Sequence, residues 1–158
     1  MKNLILPLGF TEKQLKIWGM RRDGLSLAEI ARRLGITRQA ISKSVKGIDE
    51  RVSQTLEATA KAAKIEVRYM NPEKGVLLGY SHEADDRVIL TFSTQHGVHI
   101  WHYYTGKCGG CELHETCREV ILDEAEERGI LLTEEEKVRP PAEIARLVFS
   151  KVIPGLEP

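Results

Sequence analysis

The sequence predicts an α+β fold: an N-terminal helix-turn-helix, a long connecting helix, then a small antiparallel sheet with C-terminal helices. Three observations predict it. Between residues 11 and 64, apolar side chains recur every three or four positions and capping residues punctuate them. From residue 65 to 104 the period changes to two, in short runs broken by Gly, Pro and Asn. Past Cys117 the helical spacing returns.

The helical part opens at Thr11-Glu12-Lys13-Gln14, a Ser/Thr-x-x-Glu/Gln capping box. Leu15 and Trp18 share one face of the helix it starts, and Gly24 is a natural stop. A second capping box, Ser26-Leu27-Ala28-Glu29, opens a helix that should bury Leu27, Ile30, Ala31 and Leu34. Gly35 ends it, because a left-handed residue lets the chain turn sharply. Thr37 then caps a third helix with Ile41, Val45 and Ile48 on its apolar face. Short helix, glycine turn and second helix make a helix-turn-helix over residues 26–47. Ala31 suits the crossing point, where a larger side chain would push the helices apart. Ile36 plugs the gap beneath the turn, and Ile41 anchors the second helix.

Beyond Gly47 the pattern stays helical to about Lys64. Val45, Ile48, Val52, Thr55, Leu56 and Thr59 line one side, and Ala60, Ala62 and Ala63 make a small-residue end. That face pairs either with its copy in a second chain or with the second half of this one. Residues 65–69, 76–80, 87–92 and 98–104 then read as short strands, the last two joined through Gln95-His96-Gly97. Val120, Ile121 and Ala125 mark a helix after Cys117. Pro140-Pro141 starts another, with Ile144, Leu147, Val148 and Val152 as its buried face. The expected organisation is a DNA-binding unit at 1–47, a connecting or dimerisation helix at 48–64, and an α+β cysteine-containing sensor or effector domain at 65–158.

Of the 158 residues, 42% are hydrophobic, enough for a packed core, and the net charge is zero. The zero hides an asymmetry. Residues 1–70 carry 14 Lys and Arg against 7 Asp and Glu, a net of +7, and residues 71–158 carry 9 against 16, a net of −7. A basic first half beside an acidic second half suggests that only the first meets a polyanion. No apolar run approaches the roughly 20 residues that span a bilayer. The opening stretch 3–10 is too short for a secretory segment and lacks a small-residue cleavage site, so the cytoplasm is the expected compartment. All three cysteines lie between 108 and 117, unlike a disulfide framework.

The early exposed positions of the third helix are Thr37, Arg38, Gln39, Ser42 and Lys43, the part of a recognition helix that enters the major groove. Arg pairs bidentately with guanine and Gln with adenine, so Arg38 and Gln39 are the expected base readers. Lys46, with Arg21, Arg22, Arg32 and Arg33, is placed for phosphates. The expected partner is double-stranded DNA. A homodimer is expected with it, since one helix-turn-helix alone gives little affinity or site length.

Phe10-Thr11-Glu12-Lys13-Gln14 and the stretch from Arg22 to Ser42 resemble the pattern "T-E-x-Q … G-x-[ST]-x-x-E-I-A-x-x-L-G-x-[ST]". Archaeal Tfx-type regulators share that pattern, as do LuxR-type and sigma-factor region 4 domains more loosely. Tfx-type proteins also join a basic helix-turn-helix to an acidic C-terminal part. The resemblance covers the first 50 to 60 residues and implies a transcriptional regulator with its recognition helix at 37–46.

Between sheet and helix, Cys108, Cys111 and Cys117 are spaced C-x2-C-x5-C, with Gly109-Gly110 letting the backbone wrap tightly. The third cysteine opens the next helix, where the dipole helps hold a thiolate. The segment resembles the three-cysteine segment of iron–sulfur proteins such as WhiB-type regulators and Cas4-type nucleases, which add a fourth cysteine from elsewhere. This chain has no fourth. An iron–sulfur cluster is one expectation, and zinc is the other, with His114, His99 or His102 completing a Cys3His set. His114 is close in sequence, whereas His99 and His102 sit on the adjacent strand and point to opposite faces. Redox-active thiols without metal are the third reading.

The expected function is therefore a sequence-specific DNA-binding transcriptional regulator whose C-terminal domain binds metal or a cluster and senses redox state. An enzyme targeted to DNA, such as a recombinase or nuclease, is the alternative. Its tight acidic group would be Glu83, Asp85 and Asp86, which read more simply as a solvated loop, and no catalytic residue is assigned. An adaptor whose acidic half contacts the transcription machinery is another.

Overall fold

Thr11, Ser26 and Thr37 all stand in extended backbone, and each hydroxyl accepts a hydrogen bond from the amide three residues on. Gln14 and Glu29 return the bond to the first two caps. Three helices start there. The computed structural model describes residues 9–103 and 108–158, and in it these are α1 (Glu12–Arg22), α2 (Leu27–Leu34) and α3 (Arg38–Ala62). The opening stretch at 3–8, and Tyr104 where the fourth strand was expected to end, lie outside the described residues.

The α2–α3 turn is closed by backbone geometry. Gly35 adopts φ +66°, its N–H reaches Arg32 O, and the Ile36 N–H reaches Ala31 O at 3.1 Å. Ile36 then folds back, half-buried, onto the core that holds Ile30, Ala31 and Ile41.

α3 runs unbroken through Gly47, and its buried residues Ile41, Val45, Ile48, Val52, Leu56 and Ala60 fall at spacings of three and four. After it come β1 (Ile65–Asn71), β2 (Val76–Ser81), β3 (Asp86–Ser93) and β4 (Gly97–His102), antiparallel throughout and in that order across one sheet. A bulge between Val67 and Tyr69 shifts the alternation of β1 by one residue, so that Ile65 and Met70 reach the same core. Leu77, Val88, Leu90 and Phe92 join them and meet α1, α2 and α3. The sheet, not a second chain, covers the apolar face of α3.

The other face of the sheet, with Val76, Ile89 and Trp101, packs on α4 (His114–Glu127) and α6 (Pro141–Ser150), with α5 (Glu134–Lys137) between them. The stripe of α6 is Ile144, Ala145, Val148 and Phe149, continued by Ile153. Leu147 and Val152, expected on that stripe, are only half-buried, because the i, i+4 pairs 144/148 and 145/149 already fill the contact. The result is an α+β fold with the sheet between two helical layers. Among the described residues no helix is long and apolar enough to cross a membrane.

One seam fixes the N-terminal helices to the sheet. Trp18 of α1 stacks edge-on against Phe92, with centroids 5.1 Å apart at 85°, and its Nε1 donates to Pro72 O at 3.1 Å. Gly75 lies beneath the indole at φ +65°, where a Cβ would stand 2.7 Å from Trp18 Cζ2 and 2.9 Å from Phe92 O. Gly24 has a similar φ, +91°, but open space around it. Gly24→Ala should therefore cost only the left-handed strain, about 1–2 kcal/mol. Gly75→Ala adds overpacking of about 1–3 kcal/mol and should also perturb tryptophan fluorescence. Urea titrations of both variants check this, and equal losses would show that the indole does not rest on Gly75.

Candidate nucleic-acid interface and metal centre

With Ile41 and Val45 turned inward, the opposite side of the first turns of α3 faces solvent. Thr37, Arg38, Gln39, Ser42, Lys43 and Lys46 are all exposed there, and Arg32 and Arg33 flank them from α2. Among the described residues, no carboxylate pairs with any of these five cations. Thr37 Oγ1 is occupied as acceptor by the Ala40 amide, which leaves its hydroxyl proton free to donate.

Arg21 and Arg22, expected at phosphates, are engaged elsewhere. Arg21 pairs with Asp49 of α3 and lies 3.5 Å from Glu73. Arg22 is 7% exposed, sits over Trp18, and faces Glu127, the last residue of α4, at 3.2 Å. Its Nη2 also donates to Glu127 O at 2.9 Å. They are fold residues.

The end of α4 gathers a buried polar cluster that sequence reasoning missed. Thr94 donates to the Glu127 carboxylate through its amide at 2.9 Å and through its hydroxyl. Burial alone would push Glu127 up, but the Thr94 bonds and Arg22 prevail and hold its carboxyl below the ordinary range. Glu124, fully buried one turn earlier, accepts from Thr91 Oγ1 at 2.7 Å and lies 3.7 Å from Arg128 Nε. Burial dominates there and pushes its carboxyl up. Arg128 reaches on to Lys74 O at 2.5 Å, in the β1–β2 turn. The signal was present: Glu124 stands beside Val120, Ile121 and Ala125 on the apolar stripe, with an i, i+4 arginine.

At the other end of α4, Cys108, Cys111, Cys117 and His114 line one cleft of about 670 Å3, together with His99 and Trp101 of β4. The loop is folded by Cys111 N–H to Cys108 O at 3.3 Å and His114 N–H to Cys111 O at 3.2 Å. All three thiols are free. Burial, and then Cys111 and Cys108, push the Cys117 thiol up. His99 Nε2 lies 3.8 Å from Cys117 Sγ. Burial, and then the neighbouring His96, bring the His99 pKa down to about 4, so its imidazole is neutral. His114 Nδ1 lies 3.2 Å from the exposed Glu115 carboxylate, and His102 is exposed. Three thiols and a neutral imidazole are the donor chemistry of zinc and cluster sites. The side chains share the cleft without forming a tight ligand set: among the described residues, no three His, Cys, Asp or Glu groups are close enough to hold an ion.

The acidic trio builds the β2–β3 turn. Asp85 accepts from Tyr80 Oη, Asp86 is buried, Glu83 is exposed, and Ser81 Oγ accepts from the Ala84 amide.

The Arg22–Glu127 pair makes a pH prediction. A depressed carboxyl stabilises fully above its unfolded-state value, here 4.5, and that contribution is lost as pH falls through the lower folded value. Glu127→Gln should cost about 3–5 kcal/mol at neutral pH, because it leaves Arg22 buried and unpaired. The gap between the two proteins should narrow in acid. Glu124 is shifted the other way, by burial first and in part by Glu127 itself, so its upward shift is smaller in the variant. Urea titrations across the acid range measure the gap, and one that persists undiminished in acid would assign Glu127 a packing role.

No protein-family model, no curated protein and no solved structure matches this chain, so the reading of both sites stands on these residues.

Proposed function

We propose that this protein is a sequence-specific DNA-binding transcriptional regulator whose C-terminal half holds zinc or an iron–sulfur cluster and couples its state to DNA affinity. The observation that carries the proposal is the start of α3. A continuous polar and basic face, unpaired among the described residues, stands exposed on the second helix of a capped helix-turn-helix. Arg38 and Gln39 are assigned to bases, Ser42 and Lys43 to the groove one turn on, and Lys46, Arg32 and Arg33 to phosphates. The resemblance of residues 10–42 to Tfx-type regulators supports the same reading. The protein works in the cytoplasm as a homodimer. Because the sheet covers the apolar face of α3, the dimer uses another surface.

The coupling element is α4. Cys117 lies in its first turn and Glu127 at its last residue, about 15 Å apart at helical rise. One end lines the cysteine cleft, and the other grips Arg22 of α1. A ligand that shifts the first end therefore has a rigid path to the second.

A duplex sequence enriched by the protein from a random pool, followed by anisotropy titrations across salt, tests the DNA reading. Arg38→Ala and Gln39→Ala should each lose about 1–3 kcal/mol at that sequence and relax its specificity. Lys46→Ala should weaken all sequences alike and lower the salt slope by about 1. Failure to enrich any sequence would end the proposal. The coupling is tested separately by replacing all three cysteines with serine. DNA affinity should then lose its dependence on reducing, oxidising and metal-stripped conditions, and a wild-type protein that shows no such dependence removes the sensing role.

A further inference from the structure

The register of the sheet separates the three histidines that compete for the cysteines. Across β3 and β4, His99 pairs with Thr91 and Trp101 with Ile89, and Trp101 and Ile89 belong to the core on the α4 side. His99 therefore stands on the face where Cys117 lies. His102 pairs with Val88, whose side chain belongs to the opposite core beneath the N-terminal helices. His114 opens α4, close to Cys111 in sequence, but its ring is turned to the surface carboxylate of Glu115.

Distance then narrows the chemistry. In a tetrahedral zinc site, Zn–S of about 2.3 Å and Zn–N of about 2.0–2.1 Å put a thiolate sulfur and an imidazole nitrogen about 3.6 Å apart. Cys117 Sγ and His99 Nε2 are 3.8 Å apart, and the His99 ring is held in place against Trp101 at 4.0 Å between centroids. One edge of the tetrahedron is already built between a strand and a helix. In a four-iron cluster each protein ligand attaches to a different iron, which sets the ligands further apart than this, whereas two ligands sharing one iron of a two-iron cluster would meet the same distance. Cys108 and Cys111 line the same cleft on a Gly109-Gly110 loop that has open space at both glycines.

We infer that Cys108, Cys111, Cys117 and His99 form a Cys3His site for a single zinc ion, with His114 outside it. This rests on the proposed reading that the cysteine segment holds a metal, and it fixes the fourth ligand and the ion. Four protein ligands close the coordination shell, so the ion ties the edge strand β4 to the start of α4 and leaves no open position.

Cobalt is the probe. Metal-stripped protein, kept reduced, is titrated with Co2+ while the visible spectrum is recorded. The wild type should take up about one ion per chain, with tetrahedral bands and thiolate charge transfer. His114→Ala should leave the spectrum unchanged. His99→Ala should weaken cobalt binding by more than about tenfold and lose the tetrahedral bands. Should that variant fold poorly, His99→Cys keeps a ligand in place and should bind with stronger thiolate charge transfer. A wild-type spectrum in His99→Ala, or unchanged charge transfer in His99→Cys, overturns His99 as the ligand while leaving a metal site standing. Protein that arrives with iron and sulfide overturns zinc and retains the cluster reading. Protein that binds neither removes the metal site altogether, and the DNA titrations are unaffected by any of these outcomes.

Discussion

The arrangement of this protein depends on Trp18. Its indole lies on Gly75, meets Phe92 edge-on and donates to Pro72, so one side chain of α1 touches the β1–β2 turn and the C-terminal end of β3 together. Arg22 covers the same ring and carries the contact on to Glu127. A helix-turn-helix over residues 26–47 buries too little to be stable alone. Here α2 and α3 complete a core with the sheet, and α1 locks that core against rotation. The consequence is mechanical. The three N-terminal helices have one position relative to the sheet, set by packing rather than by the length of a linker.

That rigidity gives α4 its importance. The helix lies on the far face of the sheet, yet its last turn reaches around the β1–β2 turn to Arg22 and Lys74. Glu124, Glu127, Arg22 and Arg128 are ionisable groups removed from water, and such groups are costly unless held in one geometry. A small displacement of α4 must either carry Arg22 with it or break those contacts. In the proposed function that is the useful property, because an event at Cys117 is then felt in the helix that positions the DNA reader.

The N-terminal helices were legible because their signals are local. Capping boxes at Thr11 and Ser26, a cap at Thr37 and a left-handed glycine at 35 depend only on near neighbours, and they fixed every boundary there to within about two residues. The strands were legible from alternation, although the bulge at Arg68 left no mark on the pattern. Pairings across distance were not legible. Nothing near Arg22 in sequence announces Glu127, 105 residues away, so a basic pair at a helix end read as a phosphate contact. The partner of the α3 face was equally hidden, since an apolar stripe at helical spacing looks the same whether a sheet or a second helix covers it. For the cysteine segment, spacing named the donors but could not order three histidines, and strand register supplied that order.

The charge asymmetry takes a different meaning once the partners are known. The first 70 residues carry a net of +7, but Arg21 and Arg22 belong to internal ion pairs, and Arg68 lies over Tyr80 beside Glu66. The cations left on the proposed interface are Arg32, Arg33, Arg38, Lys43 and Lys46. With Arg32, Arg33 and Lys46 each neutralising one phosphate, counterion release at about 0.9 per contact would give a salt slope of about 3 for one chain and about 5 for a dimer. That is enough for strong, salt-sensitive attraction to any duplex, so affinity alone is not what the sequence of this helix has to provide. In the proposed function discrimination falls to Arg38 and Gln39, adjacent residues on a single turn. Two side chains read few base pairs, and a second copy of the chain is the economical way to lengthen the site.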